Sequence, residues 1–456
     1  MAKALLYKQH ILYRVFRTYI RPIHDRLYYR HTYRLQTENI PSAGTPLLIV
    51  SNHQNCLNDP LGILFALNDR KPAFITRADI FMYHPIFNKF LYGIGLLPAF
   101  RMEFEGEEAL GRNKKIFIQA EHELAKGQTV VMFPESGHQD KHWLGNFSFG
   151  YTKLAFEAAE LTDFKTDIFI LPSCNHYSDY FHIQEDSLVK FGTPVSLRPY
   201  YELYKTKPRT AQRQVNALVR EQIENMMLDI RDLENYQAID FLRNTYGVNY
   251  ARQYGYDAKK LPDRLLSDRA FVAALEQAQT NHPETVRKIY ADALTLEDGI
   301  RRMKINDRLF DKPLSLGQLA LRGALLLVLL PAWLIALCPN ALNYLIPAWI
   351  MRRIHDRMFY GSFTIAINVL ITIPLFYTIA FILMWIYANI WMAFIYFVSL
   401  PALGLFAWYY RKFFLSTRQA WNYHKQKGTT TLDKLKALRT ALHQRLTTVF
   451  MTEKKI

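Results

Sequence analysis

The chain has 456 residues, half of them hydrophobic and 14% aromatic, which is enough for more than one domain with a large core. Its formal net charge is +16: residues 1–34 carry eight Lys and Arg against one acid, and residues 411–456 carry eleven against two, so the ends account for the whole excess. Basic ends are typical of segments on an anionic membrane surface, and no basic, aromatic-interleaved module indicates a nucleic-acid partner. Three scattered cysteines, Cys56, Cys174 and Cys338, exclude a disulfide framework or a zinc site.

Residues 1–40 predict a basic amphipathic helix suited to a membrane interface. Lysines and arginines interrupt any apolar core, so this end is not a secretory signal peptide. An ordinary surface helix packed on the following domain explains the same pattern equally well.

Residues 41–205 alternate between strand-like and helical patterns and predict an α/β domain with a mixed, mostly parallel sheet. The expected strands are Pro46–Ser51, Ala73–Thr76, Leu96–Phe100, Thr129–Phe133, Asp167–Pro172 and Ser187–Phe191. The expected helices are Pro60–Leu67, Glu107–Lys126 and Phe149–Leu161. Because sites in such sheets form at the carboxyl ends of the strands, polar residues at these ends are the first candidates for chemistry.

The remainder divides into three predicted parts. Residues 206–314 are polar and helical, with Arg209–Glu234 as the clearest helix, and show no chemistry. Residues 315–415 predict a transmembrane domain, and residues 416–456 a basic helical tail.

Two charge-free stretches define the predicted transmembrane domain: 323–351 over 29 positions and 359–410 over 52. The second is long enough for two helices joined near residues 388–389. Three prolines interrupt the first, which is therefore either one tilted span or a re-entrant hairpin. Arginines and lysines after each stretch favour an even number of crossings, hence two short hairpins.

Residues 52–60 bring an imidazole and a carboxylate to one strand-to-helix junction, directly after an apolar strand. If His53 pairs with Asp59, the two supply a general base and the acid that orients it. Alternatively, Asp59 is a helix N-cap and Pro60 the first helical residue, and taken alone this simpler interpretation is favoured.

Three further blocks follow in order. Residues 93–101 end in Arg101 after a strand, residues 130–137 end in Phe-Pro-Glu135-Ser136-Gly137, and residues 170–173 form a Pro-containing strand end. Each block has an ordinary structural explanation, as a solvated strand-end charge, a plain turn or a common strand exit.

The ordered set of four blocks resembles the PlsC-like glycerolipid acyltransferases of phosphatidic-acid synthesis, over roughly residues 35–200. That family has His-x4-Asp, whereas this chain has His53-x5-Asp59, and Ser136 stands where glycine is usual. The longer spacing resembles the subgroup of fungal dual-specificity glycerol-3-phosphate/dihydroxyacetone-phosphate acyltransferases.

The resemblance implies that His53 accepts the proton of an acceptor hydroxyl while Asp59 orients the ring. It implies that Arg101, Glu135, Ser136 and Gly137 bind substrate, with Arg101 facing the acceptor phosphate. The acyl donor is acyl-CoA or acyl carrier protein, and no metal or other cofactor is implied. The expected localisation is an integral membrane protein with the catalytic domain on the cytoplasmic face, in contact with membrane lipids, in a bacterial inner membrane or in the endoplasmic reticulum if eukaryotic.

Other functions are also considered. The acceptor could be dihydroxyacetone phosphate or a lyso-aminolipid. Loss of Arg101 identifies the lyso-aminolipid case, because an acceptor without a phosphate does not need its charge. A transporter or scaffold with a degenerate enzyme domain is disfavoured, because residues 312–355 and 357–432 contain no acid for coupled transport.

Overall fold

The structure is a computed structural model that describes residues 11–81, 84–99, 108–135, 141–354 and 359–453. The chain divides into two compact units. The first comprises Met1–Asp229 with Met351–Ala366, and the second Ile230–Ile350 with Ile367–Ile456.

An eight-stranded mixed sheet forms the centre of the first unit, as the sequence predicts. Its strands are β1 (Tyr29–Leu35), β2 (Leu47–Ser51), β3 (Ala73–Arg77), β4 (Leu96–Ala99), β5 (Thr129–Met132), β6 (Phe169–Tyr177), β7 (Glu185–Phe191) and β8 (Val195–Ser196). The order is β1-β7-β6-β2-β5-β3-β4, with β8 also paired to β6. All pairs are parallel except β6 with β7 and β6 with β8. The central strands β2 and β5 are buried along their whole length, because helices cover both faces of a mostly parallel sheet.

The helices of the first unit surround this sheet. They are α1 (Ile11–Pro22, continued by a π-helical turn Ile23–Tyr28), α2 (Asn58–Ala66), α3 (Pro85–Ile94), α4 (Glu108–Ala125), α5 (Gly150–Glu160), α6 (Tyr201–Thr206) and α7 (Pro208–Met226). The predicted end of α4 at a glycine is confirmed, since Gly127 follows it with φ of +87°.

Two predicted boundaries are wrong. Residues 1–40 are not one helix, because β1 lies within them and pairs in parallel with β7, where its β-prone sequence Tyr-Arg-His-Thr-Tyr-Arg-Leu finds hydrogen-bonding partners. The predicted α/β domain does not end at residue 205, because the apolar stripe of α7, including Val215, Val219 and Ile223, is fully buried in the core of the first unit.

The second unit is helical. Helix α14 (Phe359–Ile367) belongs to the first unit except for its last residue. The helices of the second unit are α8 (Tyr236–Thr245), α9 (Gly247–Gln253), α10 (Leu261–Asn281), α11 (Pro283–Met303), α12 (Arg308–Asp311), α13 (Leu316–Met351), α15 (Thr378–Tyr387), α16 (Ile390–Lys425) and α17 (Thr430–Glu453). A π-helical segment, Asn368–Tyr377, joins α14 to α15.

The sequence predicts a separate basic tail over residues 416–456, but in the structure this part of the chain packs on the helical region before it. Helix α17 buries Leu442, Leu446 and Phe450 and packs against α10 and α11. Arg439 on α17 donates to Asp307 and Asp311, each at 2.7 Å. The tail therefore completes the helical region 230–311, because its apolar face needs a partner to bury it.

Within the described residues, three helices are long and apolar enough to cross a membrane: Leu316–Met351, Phe359–Tyr387 and Ile390–Lys425. The predicted junction near residues 388–389 is confirmed, and Asn389 caps α16 by accepting from Met392 N at 2.9 Å.

Helix α13 is helical through its three prolines, but its contacts support the re-entrant hairpin predicted for the first stretch. Leu326 O accepts from the Tyr410 hydroxyl, Asn340 Nδ2 donates to Leu400 O, and the Tyr344 hydroxyl donates to Gly404 O. The contacts thus move toward the start of α16 and then return.

Candidate active site

His53 and Asp59 form a hydrogen-bonded pair in the loop between β2 and α2. The distance from His53 Nδ1 to Asp59 Oδ2 is 2.8 Å, and the imidazole is 21% exposed while the carboxylate is fully buried. The pairing predicted from the sequence is confirmed. With Nδ1–H donating to Asp59, Nε2 is the nitrogen of the neutral ring that can accept a proton.

Four donors surround the carboxylate of Asp59. Oδ2 accepts from His53 Nδ1 and also from the backbone N–H groups of Gln54 at 2.8 Å and Asn55 at 2.7 Å. Oδ1 accepts from the hydroxyl of Tyr177 at 2.7 Å. These bonds compensate the burial of a negative charge and hold the carboxylate in one orientation toward the imidazole.

The N-cap interpretation of Asp59 is wrong. Helix α2 begins at Asn58, two residues before the start at Pro60 that this interpretation requires, and no side chain caps it. The carboxylate bonds back to Gln54 and Asn55, which precede the helix, instead of capping N–H groups inside it. The local geometry therefore uses Asp59 to shape the loop that carries His53.

Tyr177 is a site residue that the sequence analysis missed. It lies at the end of β6, which extends five residues beyond the predicted strand end at Pro172. Burial raises the pKa of Tyr177 well above its ordinary value, so the hydroxyl keeps its proton and donates to Asp59. No sequence motif marks this tyrosine, because only the length and pairing of β6 bring it to the loop.

Asn52 fixes the start of the loop by continuing the sheet with its side chain. Its Oδ1 accepts from Asn175 N at 2.7 Å, and its Nδ2 donates to Asn175 O at 3.0 Å. The amide replaces the next residue of β2 as a partner for β6, so the backbone is able to turn away toward His53 while β6 keeps its hydrogen bonds.

Glu135 supports His53 through the backbone. Its Oε1 accepts from His53 N and its Oε2 from Gly145 N, both at 2.7 Å. Burial raises the pKa of Glu135 to about 7, although the two backbone hydrogen bonds act in the opposite direction. Since both oxygens accept from the protein backbone, the predicted contact of Glu135 with substrate stays a prediction.

Phe133 forms a second support from the same turn. Its ring lies 4.4 Å from the imidazole of His53, centroid to centroid, with 25° between the planes. The Phe-Pro-Glu sequence therefore holds the imidazole by stacking and its backbone by a hydrogen bond, because β5 and β2 are adjacent and parallel and their carboxyl ends meet.

A buried polar cluster holds Gln54, the next residue of the loop. The Tyr180 hydroxyl lies 2.9 Å from both Gln54 Oε1 and His142 Nδ1. A phenol has one proton, so it donates to Gln54 and accepts from the His142 N–H. The β6–β7 connection thus contributes a second tyrosine that contacts the loop carrying His53.

The other predicted site residues, Arg101, Ser136 and Gly137, lie outside the described residues. The strands that precede them, β4 and β5, are present as predicted. Among the residues the structure describes, no group of three or more His, Cys, Asp or Glu side chains is placed to hold a metal ion.

Comparisons with known proteins match part of this chain to acyltransferases. Residues 33–175 match the family model described as Acyltransferase. The chain is 32% identical over 136 residues to the chloroplastic 1-acyl-sn-glycerol-3-phosphate acyltransferase LPAT1 of Arabidopsis thaliana, covering 30% of this chain and 33% of that protein. It therefore spans about a third of the length of this curated relative.

A solved structure is also similar: the 1-acyl-sn-glycerophosphate (LPA) acyltransferase PlsC from Thermotoga maritima, with a TM-score of 0.31 and 17% identity. That match covers 45% of this chain and 79% of the other. The family match and the curated relative agree on one coarse conclusion: over residues 33–175 this chain is similar to acyltransferases.

Proposed function

We propose that the chain is a membrane-bound O-acyltransferase of glycerophospholipid synthesis. It transfers a fatty acyl group from acyl-CoA or acyl carrier protein to a hydroxyl of glycerol-3-phosphate or 1-acylglycerol-3-phosphate. The observation that carries this proposal is the 2.8 Å bond between His53 Nδ1 and Asp59 Oδ2 at the carboxyl end of β2.

The reaction follows from the chemistry of this pair. An alcohol is a weak nucleophile at neutral pH, so His53 Nε2 accepts its proton as the oxygen attacks the thioester carbonyl. Asp59 stabilises the imidazolium that forms. When the C–S bond breaks, the imidazolium returns the proton to the departing thiolate, which leaves an ester, a thiol and neutral His53. No acyl-enzyme is needed, because the thioester is already activated.

The acceptor part of the proposal rests on charge. The relatives' names specify 1-acyl-sn-glycerol-3-phosphate or 1-acyl-sn-glycerophosphate for those proteins. In this chain, Arg101 would bind the acceptor phosphate through its guanidinium fork, and Ser136 and Gly137 would bring backbone N–H groups close to it. Glu135 would act beside them by holding the backbone of His53.

The membrane part of the proposal rests on the surface of α13–α16. In the most apolar window of the three long helices, only 6%, 17% and 22% of the residues are buried by protein. Exposing such apolar area to water costs roughly 25 cal/mol per Å². Arg352, Arg353, Arg411 and Lys412 near the helix ends support a cytoplasmic location for the catalytic domain.

The test uses membranes that contain the expressed chain and labelled acyl-CoA. Separate reactions receive glycerol-3-phosphate, dihydroxyacetone phosphate or 1-acylglycerol-3-phosphate, and the labelled lipid is identified. We expect a product with one of the two glycerol phosphates, no product with His53→Ala, and full activity in EDTA if the reaction needs no metal. A His53→Ala protein with most of the activity would contradict the mechanism.

A further inference from the structure

The loop between His53 and Asp59 contains a residue in a left-handed backbone conformation. Cys56 has φ of +40°, a value that side chains other than glycine rarely adopt. Because the loop is one residue longer than the His-x4-Asp block it resembles, it needs a tight turn to return Asp59 to His53. Cys56 makes that turn, and a non-glycine residue stays in such a conformation only where the surroundings hold it.

Ser362, on α14, holds the backbone on both sides of Cys56. Its Oγ accepts from Leu57 N at 2.7 Å and donates to Asn55 O at 3.1 Å. Ser362 is 5% exposed, and it belongs to the same compact unit as the loop. One hydroxyl therefore satisfies the Leu57 N–H and adds a second donor to Asn55 O, which also accepts from Asn58 N at 2.8 Å.

Asn55 connects this contact to the catalytic pair. Its carbonyl oxygen accepts from Ser362, while its N–H donates to Asp59 Oδ2 at 2.7 Å. A shift of Asn55 changes the hydrogen bonds of the carboxylate that orients His53. Ser362 is thus connected to the imidazole of His53 through Asn55 and the carboxylate of Asp59.

Gly361, next to Ser362, allows the close approach of α14. A Cβ added there would lie 2.8 Å from Tyr28 Oη, 2.9 Å from Tyr180 O and 3.0 Å from Asn55 Oδ1. One of these atoms is backbone and one belongs to a buried tyrosine, so they cannot yield without moving the loop or the helix. The fit therefore requires glycine at this position.

We propose that Ser362 is a positioning residue for acyl transfer, and that docking of residues 359–366 on the Cys56 turn sets the geometry of His53 and Asp59. This inference rests on the proposed function. It makes catalysis depend on a segment that lies some 300 positions after the catalytic loop, at the start of the second apolar helix.

The first test measures turnover of Ser362→Ala in membranes. We expect kcat to fall by about 10- to 100-fold, with KM for both substrates within about twofold of wild type, because misplaced catalytic groups lower the rate of the bound complex. The matched control is Thr364→Ala, on the same helix, whose hydroxyl bonds to Met351 Sδ at 3.7 Å and not to the loop. The control should keep wild-type turnover.

The second test does not depend on activity. In a Cys338→Ser background, which removes the exposed cysteine, the buried thiol of Cys56 is labelled with a maleimide under native conditions. Ser362→Ala and Gly361→Ala should each raise the labelling rate by about tenfold or more, because the turn is no longer covered. Thr364→Ala and Gly323→Ala, where an added Cβ meets nothing within 4 Å, should leave it unchanged.

These outcomes separate the two proposals. Wild-type turnover together with unchanged Cys56 labelling in Ser362→Ala would overturn the positioning role. If Ser362→Ala does not reach the membrane, the same measurements on Gly361→Ala against Gly323→Ala decide in the same way. If wild type transfers no acyl group, the proposed function fails, while faster labelling would still show that α14 holds the loop.

Discussion

Tyr177 and His53 approach Asp59 from opposite sides of its carboxylate. The Tyr177 hydroxyl donates to Oδ1 at 2.7 Å, and His53 Nδ1 bonds to Oδ2 at 2.8 Å. The tyrosine occupies a buried strand end, and the histidine a partly exposed loop. The carboxylate is therefore anchored to the sheet on one side and directs the imidazole on the other.

Removing the Tyr177 hydroxyl should weaken this anchor. In Tyr177→Phe we expect turnover to fall by about tenfold and stability by about 1–3 kcal/mol, because a buried carboxylate oxygen loses its donor. The measurements are initial rates and thermal unfolding. Tyr151→Phe is the control, since it loses a similar bond, to Asn216 Oδ1 at 2.8 Å, away from the site. An equal loss of activity in both variants would refute a specific role for Tyr177.

Asp59→Asn separates two roles of the carboxylate: stabilising the imidazolium of His53 and shaping the loop through its backbone N–H groups. Asparagine keeps one acceptor oxygen for the loop N–H groups but no longer stabilises an imidazolium. By analogy with other His–carboxylate pairs we expect a drop in kcat of about 10³- to 10⁴-fold, with membrane insertion retained. Rates and detergent-solubilised gel filtration measure the two effects. A fully active variant would show that Asp59 only shapes the loop.

The dependence of stability on pH should report on Glu135. Its pKa in the folded protein is raised by burial from 4.5 to about 7, so its contribution to stability is fully present below pH 4.5 and is lost as pH rises through about 7. Glu135→Gln does not titrate. The Tm of wild type minus the Tm of this variant should therefore decrease between pH 4.5 and 7 and level off above about pH 8. A difference that increases over this range would contradict the proposed burial effect.

Gly145 should not tolerate a side chain. An added Cβ would lie 2.9 Å from Glu135 Oε2, the oxygen that accepts from Gly145 N. Gly145→Ala should displace Glu135, release the backbone of His53 and lower turnover by about tenfold or more. Gly150→Ala, where the nearest atom is 4.0 Å away, is the matched control and should remain active. Equal activity in the two alanine variants would show that the contact of Glu135 with the backbone of His53 does not matter for turnover.

Several parts of the fold were predictable because their signals are local. The apolar runs that became β2, β3, β4 and β5 are each bounded by turn residues, and the structure places them within a residue or so of the predicted ends. Strand β1 was missed because its polar sequence becomes a strand only beside β7. Helix α7 was assigned to the wrong region because its apolar stripe does not reveal which core receives it.

The pairing of His53 with Asp59 was predictable from the sequence, because both lie on one short loop and three further blocks follow in the order that resembles the acyltransferases. The sequence also determined the apolar character of the C-terminal helices, since composition is independent of contacts. Only the tertiary structure decided what holds the pair. Tyr177 lies 118 positions from Asp59, Glu135 lies 82 from His53, and Ser362 lies 305 from Leu57. Such contacts depend on strand order, register and the need of buried polar groups for partners, none of which a local pattern specifies.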